Sequence, residues 1–304
     1  MTNKTSDVWS KYWQQGYKTS FGSMFSDNYE GVIAEHWLSK FADYSKGDTV
    51  LDLCTGNASL IYLAKDKCPS FADIKWVGVD YATIQVKTDF DNVKNVDLIE
   101  QVDIEDLSGL SHSFEYIVSN FGIEYSDLGK SIPSLSKVIK RNGHLALVCH
   151  SSSSVLIQNS AAELLALEQV LNIDGVMEQL KLMLVHKAKE NNDAEKYRAK
   201  LNEQLASLYD AYGNLGIVTD FISFLKYVLS VQLPNKVEQL NDYQSELIAY
   251  KTRLSCMCDA ALNEERQSRL KELLTLNGFV NIVGEKVYKG TDIIGYCISA
   301  QMSE

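Results

Sequence analysis

Short apolar runs alternating with helical stretches over residues 48–150 predict an α/β fold built on a parallel sheet covered on both faces. Two further observations complete that prediction. From about Ser153 to Glu265 the apolar residues keep helical spacing alone, as in Leu164, Leu165, Leu167, Leu171 and again Leu201, Leu205, Leu208, Tyr212. Two strand-like segments then close the chain.

The elements follow in order. Residues 1–45 form an N-terminal helical segment. Val50–Leu53 reads as the first strand, Ser59–Lys65 as the helix after it, Lys75–Asp80 as the second strand and Val96–Val102 as the third. Phe114–Ser119 is the fourth. Ile132, Leu135, Val138 and Ile139 then lie at helical spacing, and Asn142-Gly143 offers a left-handed residue to end that helix before a fifth strand, His144–Cys149. Residues 153–265 are a helical insertion, with Pro234 separating two of its helices. Arg269–Leu276 is a helix stopped by Asn277-Gly278, and the closing strands are Asn281–Tyr288 and Ile293–Ala300 around a Lys289-Gly290-Thr291 turn. The sheet core thus comprises residues 46–152 and 266–304.

Composition removes several functions. The chain has 304 residues and a formal charge of −11, which repels polyanions, and no dense Lys/Arg run offsets it; a nucleic-acid partner is not expected. The most apolar run, Phe221–Leu233, is interrupted by Lys226 and Gln232 and is too short for a bilayer. The polar start resembles no leader, so a cytoplasmic location is expected. Of six cysteines, Cys54, Cys149 and Cys297 sit in apolar strand-like runs, and Cys256-Met257-Cys258 lacks the spacing and companions of a zinc site, so no metal is expected.

The chemistry concentrates at Asp52-Leu53-Cys54-Thr55-Gly56-Asn57-Ala58, where a strand ends in an acid, small residues turn the chain and a helix begins. Two more acids end later strands, Asp80 followed by Tyr81 and Asp103 followed by Ile104. In an open α/β sheet all three converge on the crevice beyond the strand ends. Asp80, expected half-exposed at its rim, can accept both hydroxyls of a ribose. Asp103 can accept an exocyclic amine while the next backbone N–H reaches a ring nitrogen, which describes an adenosine site. Asp52 would repel a pyrophosphate but favours an ammonium and a sulfonium, so S-adenosylmethionine (SAM) fits better than a dinucleotide. Glu124 and Tyr125 after the fourth strand and His150 after the fifth are the candidate catalytic residues. The remaining histidines, His36, His112, His144 and His186, have no such placement.

With those residues in view, the chain resembles the class I SAM-dependent methyltransferases. The loop from Asp52 to Ala58 keeps one of the family's three glycines, Gly56. Phe114–Tyr125, which includes Asn120 and Phe121, resembles the fourth-strand motif of the ubiquinone/menaquinone-type enzymes, Leu135–Leu145 resembles their L-x-R-V-L-K-P-G-G-x-L segment, and Gly278-Phe279 matches their G-F before the closing hairpin. The resemblance implies a Rossmann-like seven-stranded sheet, order 3-2-1-4-5-7-6 with the last strand antiparallel, and a SAM site including Asp52, Cys54, Thr55, Gly56, Asn57, Asp80, Tyr81, Asp103, Ile104, Asn120 and Phe121. Trp9, Tyr12, Trp13, Tyr17 and Phe21, in W-x-x-Y-W-x-x-G, are similar to the aromatic entry segment of thiopurine-type methyltransferases. There it folds over SAM, with Tyr17 against the cofactor; packing of an aromatic stripe on the core is the alternative. The expected activity is methyl transfer to an O, N, S or C atom of a small molecule, with the insertion as substrate cover. The alternatives are a protein or peptide methyltransferase, and a non-catalytic SAM-binding module with a helical partner or dimerisation surface.

Overall fold

The computed structural model describes residues 3–21, 27–86, 90, 92–110, 113–230 and 235–304, with backbone alone for 3–7. It has two compact units, Met1–Ile157 with Ala260–Glu304, and Gln158–Asp259.

The first unit holds a seven-stranded sheet of order β3-β2-β1-β4-β5-β7-β6. Its strands are β1 Thr49–Leu53, β2 Lys75–Val79, β3 Val96–Ile99, β4 Phe114–Asn120, β5 Ile139–Cys149, β6 Phe279–Lys289 and β7 Asp292–Met302. Strands β1 to β5 pair in parallel, and β7 runs antiparallel to both β5 and β6. Helices α1 (Asn3–Gln14), α2 (Gly31–Phe41), α3 (Ser59–Lys67), α4 (Leu128–Leu135) and α10 (Glu264–Leu276) surround it.

Strand periodicity explains why the central strands read as continuous apolar runs. Successive residues of one strand point to opposite faces, and both faces are buried. Leu51, Ile117, Leu145 and Leu147 pack with Ile132, Leu270 and Leu274 of α4 and α10. Val50, Val118, Ala146 and Val148 pack with Ile33, Trp37, Phe41 and Ile61 of α2 and α3.

Four sequence expectations need correction. The third strand stops at Ile99, because Gln101 adopts φ +59° and the Val102 N–H turns to the Asp80 carbonyl. Helix α4 ends at Leu135, so Val138 and Ile139 do not belong to it. Asn142 is left-handed (φ +60°), but it lies inside β5, where the register advances from Ile139 to His144 against two residues of β4. A left-handed residue serves a bulge as well as a helix end, and sequence alone does not separate the two. Helix α10 also starts earlier than expected, at Glu264, because the Asn263 side chain caps the Arg266 N–H.

In the second unit, α6 (Val176–Ala188), α7 (Asp193–Tyr212), α8 (Gly216–Ser230) and α9 (Lys236–Ala260) follow α5 (Val155–Leu171), which crosses the unit boundary. Leu180, Met183, Leu201 and Leu208 are buried, and Phe224 of α8 stacks on Tyr243 of α9 at 3.8 Å. Pro234 and His112 lie outside the described residues. Among the described residues no helix is long and apolar enough to cross a membrane.

Candidate active site

The site is built where β1 hands over to α3. Cys54, Gly56 and Ala58 have φ of +55°, +52° and +59°, three left-handed residues at alternate positions. That path turns the backbone tightly below the strand ends, and for the two non-glycine residues it carries a steric cost of roughly 1–2 kcal/mol each. Small side chains are what the close packing here permits. A Cβ on Gly56 would lie 2.6 Å from a Trp13 ring carbon, and one on Gly122 would lie 2.5 Å from the Cys54 Cβ. Gly122→Ala is therefore expected to destabilise the protein by about 1–3 kcal/mol by pushing the 52–58 loop off the end of β4; denaturant unfolding measures it.

The three strand-end acids gather around this loop. Asp52 is buried and accepts the Thr55 hydroxyl at 2.6 Å. Burial pushes its carboxyl up to about 7; the Thr55 hydrogen bond opposes that rise and the neighbouring Asp80 adds to it. Asp80 accepts the Gly56 N–H and the Ala82 N–H, both at 2.8 Å, and burial raises it to about 6. It is 8% exposed, not the half-exposed rim residue expected from sequence. Asp103 accepts the Glu105 N–H at 3.0 Å and, with Ile104, Tyr81, Asp80 and Cys54, lines the main cavity. Trp9, Trp13, Phe121 and Tyr125 supply its aromatic wall. A smaller recess beside it is lined by Asp52, Thr55 and Asn120, and the Asn120 side-chain oxygen accepts the Trp37 indole N–H at 2.9 Å.

Two of the expected residues make contacts within the chain. The Asn57 amide donates to the carbonyls of Trp13 (2.9 Å) and Tyr17 (2.7 Å) and accepts the Gln85 N–H at 2.8 Å, so it fastens the N-terminal segment to the loop. The Tyr17 ring stacks on Tyr12 at 5.0 Å, and Trp9 and Trp13 occupy the cavity wall in its place. Gly56 lies under the Trp13 indole.

On the other side, Glu124 and Tyr125 fall in a 3₁₀ turn, Ile123–Tyr125, and His150 follows β5. Glu124 is buried, accepts the His150 backbone N–H at 2.7 Å, and is pushed up to about 7 by burial. It therefore holds the backbone of His150 without facing the cavity. Arg266 of α10 donates to the carbonyls of Ala260 (2.6 Å), Ala261 (3.3 Å) and Glu124 (3.1 Å), a pin that its place in the sequence did not reveal. The other described histidines lie elsewhere: His36 beside Cys297, His144 stacked on Tyr116, and His186 near Asp193.

A sheet of this order, with acids at the ends of its first two strands bracketing a left-handed loop, defines the class I SAM-dependent methyltransferase fold. Residues 44–209, more than half of the chain, match a family model described as a methyltransferase domain, and the chain belongs to that family. No curated protein sequence matches it. Among solved structures, the plantazolicin methyltransferase BpumL, in complex with a pentazolic desmethylPZN analog and SAH, is similar with a TM-score of 0.50 at 9% identity, over 99% of this chain and 92% of that one. Magnesium protoporphyrin IX methyltransferase from Synechocystis PCC 6803, with bound SAH, is similar at 0.48 and 11%, over 99% of each chain. The CurJ carbon methyltransferase gives 0.46 and 11%, over 90% of this chain; the chain spans 54% of that structure's length. At these identities the likeness concerns the fold.

Proposed function

We propose that this protein transfers a methyl group from SAM to a small-molecule acceptor. The observation that carries the reading is the gathering of Asp80 and Asp103 on one cavity, and of Asp52 on the recess beside it, around the left-handed loop. Asp80 accepts from the backbone at Gly56, Ala82 and Tyr81 and keeps acceptor capacity for a ribose hydroxyl. Asp103 stands across the same cavity for the adenine edge, and Asp52 and Thr55 line the recess suited to the methionine end. Bound SAM supplies a methyl group already activated by its sulfonium, so the chain's contribution is to bind, orient and exclude water. Buried carboxylates held without a counter-charge favour a cationic ligand, because it repays part of their desolvation.

The space open to water in the main cavity is about 50 Å³, room for a few waters at ~10–15 Å³ each. A nucleoside therefore enters with outward movement of the Trp9 and Trp13 wall, which makes the N-terminal segment a cover over the site. That enclosure, together with the charge of −11, favours a small acceptor over a macromolecule.

The raised carboxyl of Asp52 gives a pH test. With a value of about 7, roughly a tenth of it is ionised at pH 6 and roughly nine tenths at pH 8. A cationic ligand binds the ionised form, so SAM affinity is expected to rise several-fold between pH 6 and 8. Titration calorimetry on wild type and Asp52→Asn checks this; the same slope in both proteins removes Asp52 from the site.

The reaction itself is tested by incubating the protein with methyl-labelled SAM and a cell extract, then separating metabolites, protein and nucleic acid. Label in the metabolite fraction, lost with Asp80→Asn, is the expected result. Label in protein would transfer the reading to a protein methyltransferase. SAM binding without label would point to a non-catalytic module.

A further inference from the structure

The imidazole of His150 is completely buried, and neither ring nitrogen has a hydrogen-bond partner among the described residues. Its surroundings are rings: Phe121 at 4.7 Å, Phe21 edge-on at 5.7 Å and Tyr125 edge-on at 6.0 Å. The backbone around it is pinned by contrast. The His150 N–H is held by Glu124, its carbonyl accepts the Leu262 N–H at 2.8 Å, and the Glu124 carbonyl is held by Arg266. An unsatisfied buried polar group costs about 1–3 kcal/mol, and a packing role here is open to phenylalanine without that cost. A rigidly placed side chain with unmet hydrogen-bonding capacity is the arrangement of a group held ready for a ligand.

Phe121 and Tyr125 touch the imidazole and also line the cavity that holds Asp80 and Asp103. His150 thus stands one ring layer behind the cavity. Phe21, at the end of the described N-terminal segment, closes the opposite side. The geometry points to an acceptor subsite where Phe121 and Tyr125 line the cavity, in which His150, reached as these rings shift, recognises a neutral, flat, largely apolar molecule through a hydroxyl group.

The chemistry favours that class over its neighbours. The rings offer faces and edges to a planar body. Burial pulls His150 down to about 3, so at neutral pH it presents one lone pair and one N–H. A hydroxyl answers either, because it both donates and accepts; an ether leaves the lone pair unanswered. An anionic acceptor would meet Asp52, Asp80, Asp103 and Glu124 nearby. The assignment rests on the methyltransferase reading and names the acceptor class for the same site.

The test is equilibrium binding to full-length protein saturated with SAH, with three probes of one shape: 2-naphthol, 2-methoxynaphthalene and 2-naphthyltrimethylammonium. 2-Naphthol is expected to bind about tenfold or more tightly than the methyl ether, the worth of one buried hydrogen bond. His150→Phe keeps a ring in the stack and removes both nitrogens. It should erase the preference while leaving the unfolding midpoint unchanged or higher. Equal binding of naphthol and its ether to wild type overturns the assignment, as does a preference that survives in His150→Phe. Preferred binding of the quaternary ammonium would also overturn it, in favour of a cation held by the rings. Titration of SAH into the ligand-free protein beforehand separates the two levels. SAH that binds while naphthol shows no preference defeats the acceptor class alone, whereas failure of SAH to bind defeats the cofactor reading.

Discussion

Asp80→Ala is expected to weaken SAM binding about a hundredfold or more and to lower the unfolding midpoint at the same time. The affinity loss follows from removing an acceptor of charge-assisted hydrogen bonds in a buried site, each worth about 1.5–3 kcal/mol. The stability loss follows from the two bonds the carboxylate already makes, to the Gly56 and Ala82 N–H groups. With the side chain gone, the Gly56 N–H loses its acceptor, and the left-handed loop keeps only its Thr55 N–H bond to the Val79 carbonyl as a tie to β2. Asp80→Asn retains an oxygen for one of those donors but carries no charge. It should recover part of the midpoint and little of the affinity. Calorimetry and thermal melts on the two variants separate the roles; wild-type affinity in both would remove Asp80 from the cofactor site.

Asn57→Ala is expected to release the N-terminal segment. Three hydrogen bonds disappear at a residue that is 3% exposed, and each is worth about 1 kcal/mol, so the loss should be about 2–4 kcal/mol. The freed segment exposes Trp9 and Trp13, so tryptophan emission shifts to the red. Trypsin should also cut faster at Lys11 and Lys18. A lower midpoint with unmoved emission would mean that the rings, not the Asn57 latch, hold the segment down.

The sheet was readable because its signals are local and repeated. Each central strand is apolar on both faces, and Asp52, Asp80 and Asp103 lie at or just beyond the ends of successive strands, so they announce a crevice before any contact is known. The Asn142 bulge was not readable, since a left-handed asparagine marks a helix end and a strand irregularity alike. Asn57 looked like a loop residue suited to a ligand. Its partners, Trp13 and Tyr17, are 44 and 40 residues away, and sequence carries no sign of that pairing. Arg266 escaped notice for the same reason, with Glu124 142 residues distant. The exposure of Asp80 was misjudged because the aromatic segment that encloses its crevice comes from before the first strand.

The Cys54 and Ala58 substitutions show how the loop tolerates losing two glycines. Both residues keep the left-handed turn, and the Cys54 side chain packs where Gly122 leaves room for it.

Ser151 forms a parallel bridge with Leu262, and the Leu262 N–H returns to the carbonyl of His150. The chain thus leaves the sheet and re-enters it through one doorway, two hydrogen-bonded residues wide. Everything between could be exchanged, shortened or lengthened in the course of descent without asking any strand to find a new neighbour. For a protein engineer the same doorway is a graft point, with its two stubs already clasped.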